Sequence, residues 1–249
     1  MHRGCPALLV PLSALLLGAG ACGTEPARPP FVCEAPRVRP RVAHAQCGPT
    51  LDFTPINAYQ GALALAQERE EAVVLINGSC TGTLIAAAAG PVVLTAGHCA
   101  ALGARVLAAF NVEDAPDGDP LVTEGSVLER ADDPDYALVA LDRLPQAVPT
   151  PLATQVTERL SIIQHPRGRP KVVAEGEYLD TCGAEVVYGD LDTLVGSSGA
   201  GVLNARGELI AVHTDGDCAG DNSGTNRGWS AARVVEASAY LEAADLGAR

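Results

Sequence analysis

Three stretches of the 249-residue chain carry side chains that could cooperate in acyl transfer. The first is Asp192-Thr193-Leu194-Val195-Gly196-Ser197-Ser198-Gly199, where Gly196 and Gly199 bracket Ser198. Glycines there let the backbone turn tightly, aiming a hydroxyl outward and amide N–H groups toward a carbonyl oxygen. A serine so placed needs a base. The second stretch, Leu94-Thr95-Ala96-Gly97-His98-Cys99, ends an apolar run in a histidine; the third, Asp135-Tyr136-Ala137-Leu138-Val139-Ala140-Leu141, leads from an aspartate into an apolar run. A hydroxyl, an imidazole and a carboxylate are the three groups of nucleophilic acyl transfer, and here they run His98, Asp135, Ser198 along the chain. A lone G-x-S-G is common in turns, so the reading rests on the three stretches taken together in that order. Asp135 is favoured over Asp132 and Asp133 because it abuts the apolar run, where its carboxylate can be shielded; the other two read as solvated.

Composition narrows the function. A hydrophobic content of 47% excludes a generally disordered chain, and the length suffices to bury a sizeable core. A formal charge of −13 with one lysine, Lys171, leaves no basic stripe to displace counterions from nucleic acid. That charge fits a cationic peptide or a solvated acidic surface better; a peptide or protein substrate enters with the family resemblance, and the chain is expected to act as a monomer. The cysteines are too scattered for a metal signature, and His44 and His165 do not cluster beside them, so neither a metal nor another cofactor is expected.

The first 21 residues have the pattern of an export signal, with His2 and Arg3 before the apolar run Ala7 to Leu17 and small residues up to Cys22. The run is too short to span a membrane comfortably. Leu16 to Cys22 resembles a bacterial lipoprotein signal in which Cys22 would be acylated, although Ala19 departs from the usual leucine. The expectation is an exported protein, either secreted or held at the cell envelope by that lipid alone. Residues 22–46, rich in proline and arginine, read as a tether or pro-segment, with Arg37, Arg39 and Arg41 as an exposed basic cluster. Apart from Cys5 and Cys22, six cysteines remain, and in an exported chain these suggest disulfides, with fifteen complete pairings open.

The elements that must position the three groups are mostly short strands. Residues 47–71 read as an irregular lead-in followed by a helix from Ala58 to Glu71. Val73 to Ile76, the turn Asn77-Gly78 and Cys80 to Ile85 read as a hairpin, and Pro91 to Thr95 as a strand delivering His98. A Cys80–Cys99 disulfide would tie this hairpin to the histidine loop. Val106 to Asn111, Leu121 to Leu128 and Tyr136 to Leu141 complete a first barrel over residues 72–144, and residues 145–159 form a crossover. The second barrel, from residue 160 to the end, takes strands at Leu160 to Gln164, Lys171 to Ala174, Tyr178 to Cys182 and Glu185 to Tyr188. It continues with a hairpin of Val202 to Asn204 and Glu208 to Val212, a last strand at Gly228 to Ser230, and a final helix from Ala231 to Leu246. The fold class is all-β: two barrels and a C-terminal helix.

From Ala72 to Ser230 the chain resembles the chymotrypsin-fold serine peptidases, and within them the bacterial V8-like, glutamyl-endopeptidase branch. The resemblance is carried by Cys80-Thr81-Gly82-Thr83-Leu84-Ile85, Leu94 to Cys99, Asp135 to Leu138, Ile163-Gln164-His165-Pro166-Arg167-Gly168 and Asp192 through Gly199. It implies a chymotrypsin-like double β-barrel with His98 as general base, Asp135 as its orienting partner, Ser198 as nucleophile, and an oxyanion hole at the N–H groups of Gly196 and Ser198. Ser197 would shape the loop. Thr193 and His213 match the positions from which glutamyl-specific relatives recognise a substrate carboxylate. Asp192, six residues before Ser198, sits where trypsin-like relatives carry the aspartate that selects lysine or arginine, so it is a third substrate-binding candidate. Ala200-Gly201 departs from the small residue and proline that follow the Ser-Gly pair in many relatives. Cys182 and Cys218 could brace the pocket or pair elsewhere, and Cys33 and Cys47 could close a small N-terminal loop. A catalytically inactive peptidase-fold lipoprotein that binds peptides or envelope components, or an esterase, are the competing functions; the three polar residues held together disfavour the first.

Overall fold

The structure is a computed structural model and describes residues 31–33, 46–116, 120–218 and 224–247. The export signal, Cys5, Cys22, His44 and the arginines at 37, 39 and 41 lie outside the described residues.

The first barrel forms because six strands turn apolar side chains onto a shared interior. Strands β2 (Val73–Ile76) and β3 (Cys80–Ile85) join through Asn77 and Gly78, both at positive φ, the backbone that a tight hairpin requires. Strands β4 (Val92–Thr95), β5 (Arg105–Phe110), β6 (Leu121–Asp132) and β7 (Asp135–Leu141) close the barrel in the order β2-β3-β4-β7-β6-β5. In β5 the residues alternate, with Val106, Ala108 and Phe110 buried among Val74, Ile76, Leu84, Val93 and Val139.

The second barrel repeats the plan. Strands β8 (Arg159–Gln164), β9 (Val172–Cys182), β10 (Glu185–Gly189), β11 (Gly201–Asn204), β12 (Leu209–Gly216) and β13 (Asn226–Ser230) run in the order β9-β10-β13-β12-β11-β8, and β8 pairs back onto β9. The two segments expected at 171–174 and 178–182 are one strand, whose first half pairs with β8 and second half with β10. A two-residue strand, β1 (Thr54–Pro55), joins the lead-in to β9. The interior is filled by Leu160, Ile162, Val186, Tyr188, Val202 and Ile210.

A third apolar cluster lies between the barrels. It gathers Ile85, Leu94 and Leu138 from the first, Ile163, Val173 and Val212 from the second, Ile56 and Leu63 from the lead-in, and Val234 and Val235 from the C-terminal helix. The buried Lys171 adds a polar clasp at the same seam: its N–H donates to the Val112 carbonyl at 2.8 Å. Its Nζ donates to the Glu70 carbonyl at 2.9 Å and pairs with the Glu70 carboxylate, while Glu113 lies 4.0 Å away. A buried ammonium is tolerated only with such partners.

Two helices differ from the sequence expectation. The segment from Ala58 to Glu71 is not one helix but a single turn, α1 (Ala64–Gln67), flanked by 3-10 turns at Ile56–Ala58 and Glu70–Ala72. The Tyr59 hydroxyl accepts the Leu63 N–H at 3.0 Å and so replaces the helical carbonyl partner. The final helix, α2 (Ala231–Ala237), stops at Ser238, well before Leu246. There Glu129 of β6 accepts hydrogen bonds from the Ser238 hydroxyl (2.8 Å) and the Ala239 N–H (2.9 Å), which draws the chain out of the helix.

The candidate active site

β4 delivers His98 and β7 begins with Asp135, and these strands pair with Thr95 opposite Ala137. His98 sits in a 3-10 turn, Gly97–Cys99, just beyond β4. Pairing the strands therefore brings the two side chains together. Asp135 Oδ2 lies 2.7 Å from His98 Nδ1, and Oδ1 accepts the His98 backbone N–H at 3.0 Å. The carboxylate is fully buried, whereas the His98 side chain remains 32% exposed, reachable from solvent. With a carboxylate oxygen as the partner of Nδ1, that nitrogen carries the ring hydrogen in the neutral imidazole and Nε2 is left as a proton acceptor. Two further ties hold the turn. The Cys80–Cys99 disulfide links it to β3, and Arg130 Nε donates to the Gly97 carbonyl at 2.9 Å.

Ser198 lies in the connection from β10 to β11, locked by bonds from both barrels. Thr81 of β3 donates its N–H to the Ser198 carbonyl (2.9 Å) and its hydroxyl to the Gly196 carbonyl (2.7 Å), while that hydroxyl accepts the His165 N–H (3.0 Å). From the second barrel, Gly199 donates to the His213 carbonyl at 2.8 Å. Gly196 has φ +99°, and a Cβ there would stand 2.6 Å from the His165 carbonyl. Only glycine fits without strain. Ser197 shapes the turn, its hydroxyl accepting the Leu194 N–H at 2.9 Å. The N–H groups of Gly196 and Ser198 have no acceptor among the described residues, leaving two donors for an oxyanion. No hydrogen bond joins Ser198 Oγ to His98, although Cys99, the neighbour of His98, has its Sγ 3.8 Å from the Ser198 carbonyl. Such contacts are often long in the absence of substrate.

The three substrate-binding candidates are placed differently. Asp192, 1% exposed, faces the lead-in: its two oxygens accept the backbone N–H groups of Cys47 (2.7 Å) and Asp52 (2.6 Å). Burial, the larger influence, raises its carboxyl above the usual range against those two donors. Each of its oxygens is thus held by a backbone donor of the lead-in. Thr193 is 1% exposed and its hydroxyl has no hydrogen-bond partner among the described residues. His213, on β12, is 3% exposed with Nδ1 2.6 Å from the Tyr188 hydroxyl; burial lowers its pKa to about 3 against the opposing influence of the Arg227 carbonyl. His165 is fully buried, with Nδ1 on the Arg169 carbonyl at 3.0 Å, and burial lowers its pKa to about 4.

The remaining disulfides fix pairings that the sequence leaves open. Cys33 pairs with Cys182 and Cys47 with Cys218, rather than Cys33 with Cys47 and Cys182 with Cys218. The lead-in lies along β9 and under Asp192, which carries Cys47 to the loop beyond β12. Cys33, Asp180 and Cys182 approach one another as metal ligands would, but the two sulfurs are joined in the disulfide. Thr81, Arg130 and Tyr188 were not legible as site residues, since each acts across strands distant in sequence.

Residues 80–212 match the family model of the trypsin-like peptidase domain, and the chain belongs to that family. Among solved structures, the serine endoprotease from Yersinia pestis is similar at 16% identity and a TM-score of 0.57, over 72% of this chain; the match spans 65% of that protein's length. At that identity the likeness shows the fold. No curated protein matches the chain in sequence.

Proposed function

We propose that the protein is an exported serine endopeptidase of the V8-like branch, hydrolysing peptide bonds through an acyl-enzyme on Ser198 and preferring glutamate before the scissile bond. The observation that carries the reading is Asp135 gripping both the ring and the backbone of His98, close to a turn whose Gly196 and Ser198 N–H groups are unengaged. In this mechanism His98 Nε2 takes the Ser198 proton as Oγ attacks the carbonyl, then gives it to the departing amine. Asp135 stabilises the imidazolium formed in between. Water repeats the attack on the ester and restores Ser198. Each oxyanion donor contributes about 2.7–4 kcal/mol, because the negative charge appears only in the transition state.

The glutamyl preference is supported by the unpartnered Thr193 hydroxyl and by His213, and by the engagement of Asp192, which removes the group that would select arginine. Export is supported by three disulfides, which persist in oxidising compartments. The test is digestion of a peptide library by the folded protein beside Ser198→Ala, with the cut bonds mapped by mass spectrometry. Cleavage after glutamate, lost in the variant, is expected. Cleavage after arginine would refute the specificity, and equal cleavage by both proteins would refute the nucleophile.

A further inference from the structure

The turn that leaves β8, Pro166–Gly168, stands against the oxyanion loop, where Arg167 donates its backbone N–H to the Val195 carbonyl at 2.5 Å. The peptide joining Val195 to Gly196 is planar and trans, so with its carbonyl held there the Gly196 N–H points the opposite way, toward the forming oxyanion. Arg167 itself is exposed and lies at φ +58°, ψ +28°, in the left-handed region that side chains rarely adopt. Glycine is at ease in that conformation, as at the next residue, Gly168, with φ +65°. A long cationic side chain placed at a strained position beside the reacting centre calls for a function.

The surroundings of Arg167 identify the part of a substrate that it meets. His98 gives its proton to the departing amine, so the leaving segment lies on the histidine side of the oxyanion turn. Cys99, next to His98, is bonded to Cys80, which follows the β2–β3 turn at Asn77 and Gly78. Gly168 packs on that same turn, where a Cβ on it would run into the Gly78 carbonyl. The histidine turn, the disulfide, the hairpin tip and Arg167 thus form one connected surface along the path of the leaving segment. Among the described residues the guanidinium of Arg167 has no ion pair or hydrogen bond, and neither does that of Arg169. By contrast Arg105, Arg130, Arg159, Arg206, Arg227 and Arg233 each pair with a carboxylate. In a chain of net charge −13, a cation left open beside the site is available to a carboxylate from outside.

We infer that Arg167 is a specificity-determining residue that binds an acidic side chain on the leaving segment of the peptide, at the first or second residue after the scissile bond. The inference rests on the serine-peptidase reading above and is independent of the residue preferred before that bond. A guanidinium presents two parallel N–H groups to a carboxylate, whereas a neutral amide offers it a weaker acceptor. The leaving segment departs when the acyl-enzyme forms, so two peptides that differ only there give the same acyl-enzyme. Arg167 therefore acts on acylation, and its effect is read in kcat/KM and not in the hydrolysis that follows.

The test uses the full-length protein and matched peptides that share the residue its library digestion selects before the scissile bond. They carry glutamate, glutamine or lysine at the first or the second position after it. For one of these positions the natural protein is expected to show a kcat/KM about fivefold or more higher with glutamate than with glutamine, the ratio falling as salt is added. Arg167→Gly keeps the backbone N–H and suits the positive φ, so the fold is preserved, as urea unfolding checks, and the ratio should fall to about one. Arg167→Glu should turn the preference toward lysine. A natural protein indifferent to the residues after the bond overturns the inference. So does an acidic preference that survives Arg167→Gly, or one that Arg169→Ala abolishes in its place. If no peptide is cut in a manner that Ser198→Ala abolishes, the peptidase reading fails and the inference falls with it.

Discussion

Replacing Asp192 by alanine separates a structural role from a substrate role. The carboxylate is 1% exposed and accepts two backbone donors, Cys47 N–H at 2.7 Å and Asp52 N–H at 2.6 Å. Alanine leaves both donors without an acceptor, and each such orphan costs about 1–3 kcal/mol. Burial already opposes ionisation of this group, as its raised pKa records, so removing the charge recovers part of that loss. The net expectation is about 3 kcal/mol lost for Asp192→Ala and about 1 kcal/mol for Asp192→Asn, which retains one acceptor oxygen. Urea unfolding monitored by fluorescence of Trp229 measures both, the midpoint moving with little change in slope. Cleavage of glutamate peptides should weaken in step with detachment of the lead-in, with no gain or loss particular to arginine peptides. A loss in stability below about 1 kcal/mol for the alanine variant, with activity altered only toward arginine, would place Asp192 in the substrate pocket and refute the argument.

Two further expectations concern stability. The double variant Cys80→Ser with Cys99→Ser opens a link spanning 19 residues and should cost about 3 kcal/mol by denaturant unfolding, from the chain entropy released in the unfolded state; no change would show that the hairpin holds the histidine turn unaided. The protein should also lose stability in acid through two histidines. His165 and His213 have folded pKa values of about 4 and about 3, below the ordinary 6.5, so between these values the unfolded chain binds more protons. Their contribution is present in full above pH 6.5 and declines as the pH falls, by about 2 kcal/mol for each residue at pH 5. Urea midpoints measured from pH 5 to pH 8 check the sign, and replacing His165 by a neutral residue should flatten the profile.

Local signals carried much of the fold. The Asn77-Gly78 turn between apolar runs marked the first hairpin, and the run ending at Thr95 marked the strand that leads to His98. Asp135 was legible for the same reason, as a carboxylate abutting a strand. What was not legible depends on partners far away in the chain. Helical spacing from Ala58 to Glu71 was overruled by the Tyr59 hydroxyl, and α2 was cut short by Glu129 from the other barrel. The offset of Asp192 from Ser198 gave its position but not the direction of its carboxylate, which the lead-in decides. Tyr188 carried no signal at all, because its partner lies two strands across the sheet.

The disulfide pattern has a consequence for the covalent integrity of the chain. Cys33 and Cys47 are each bonded to the second barrel, at Cys182 and Cys218, and so they bracket residues 34–46 between two fixed attachment points. A protease that nicks this interval, at Arg37, Arg39 or Arg41 for instance, creates a new chain end without liberating a fragment. The portion ahead of the cut stays tethered through Cys33, and Cys47 stays beneath Asp192. Such a nick is silent on a non-reducing gel and yields two pieces only under a reductant, so a cut within 34–46 releases the portion ahead of it only when the Cys33–Cys182 bond is also reduced.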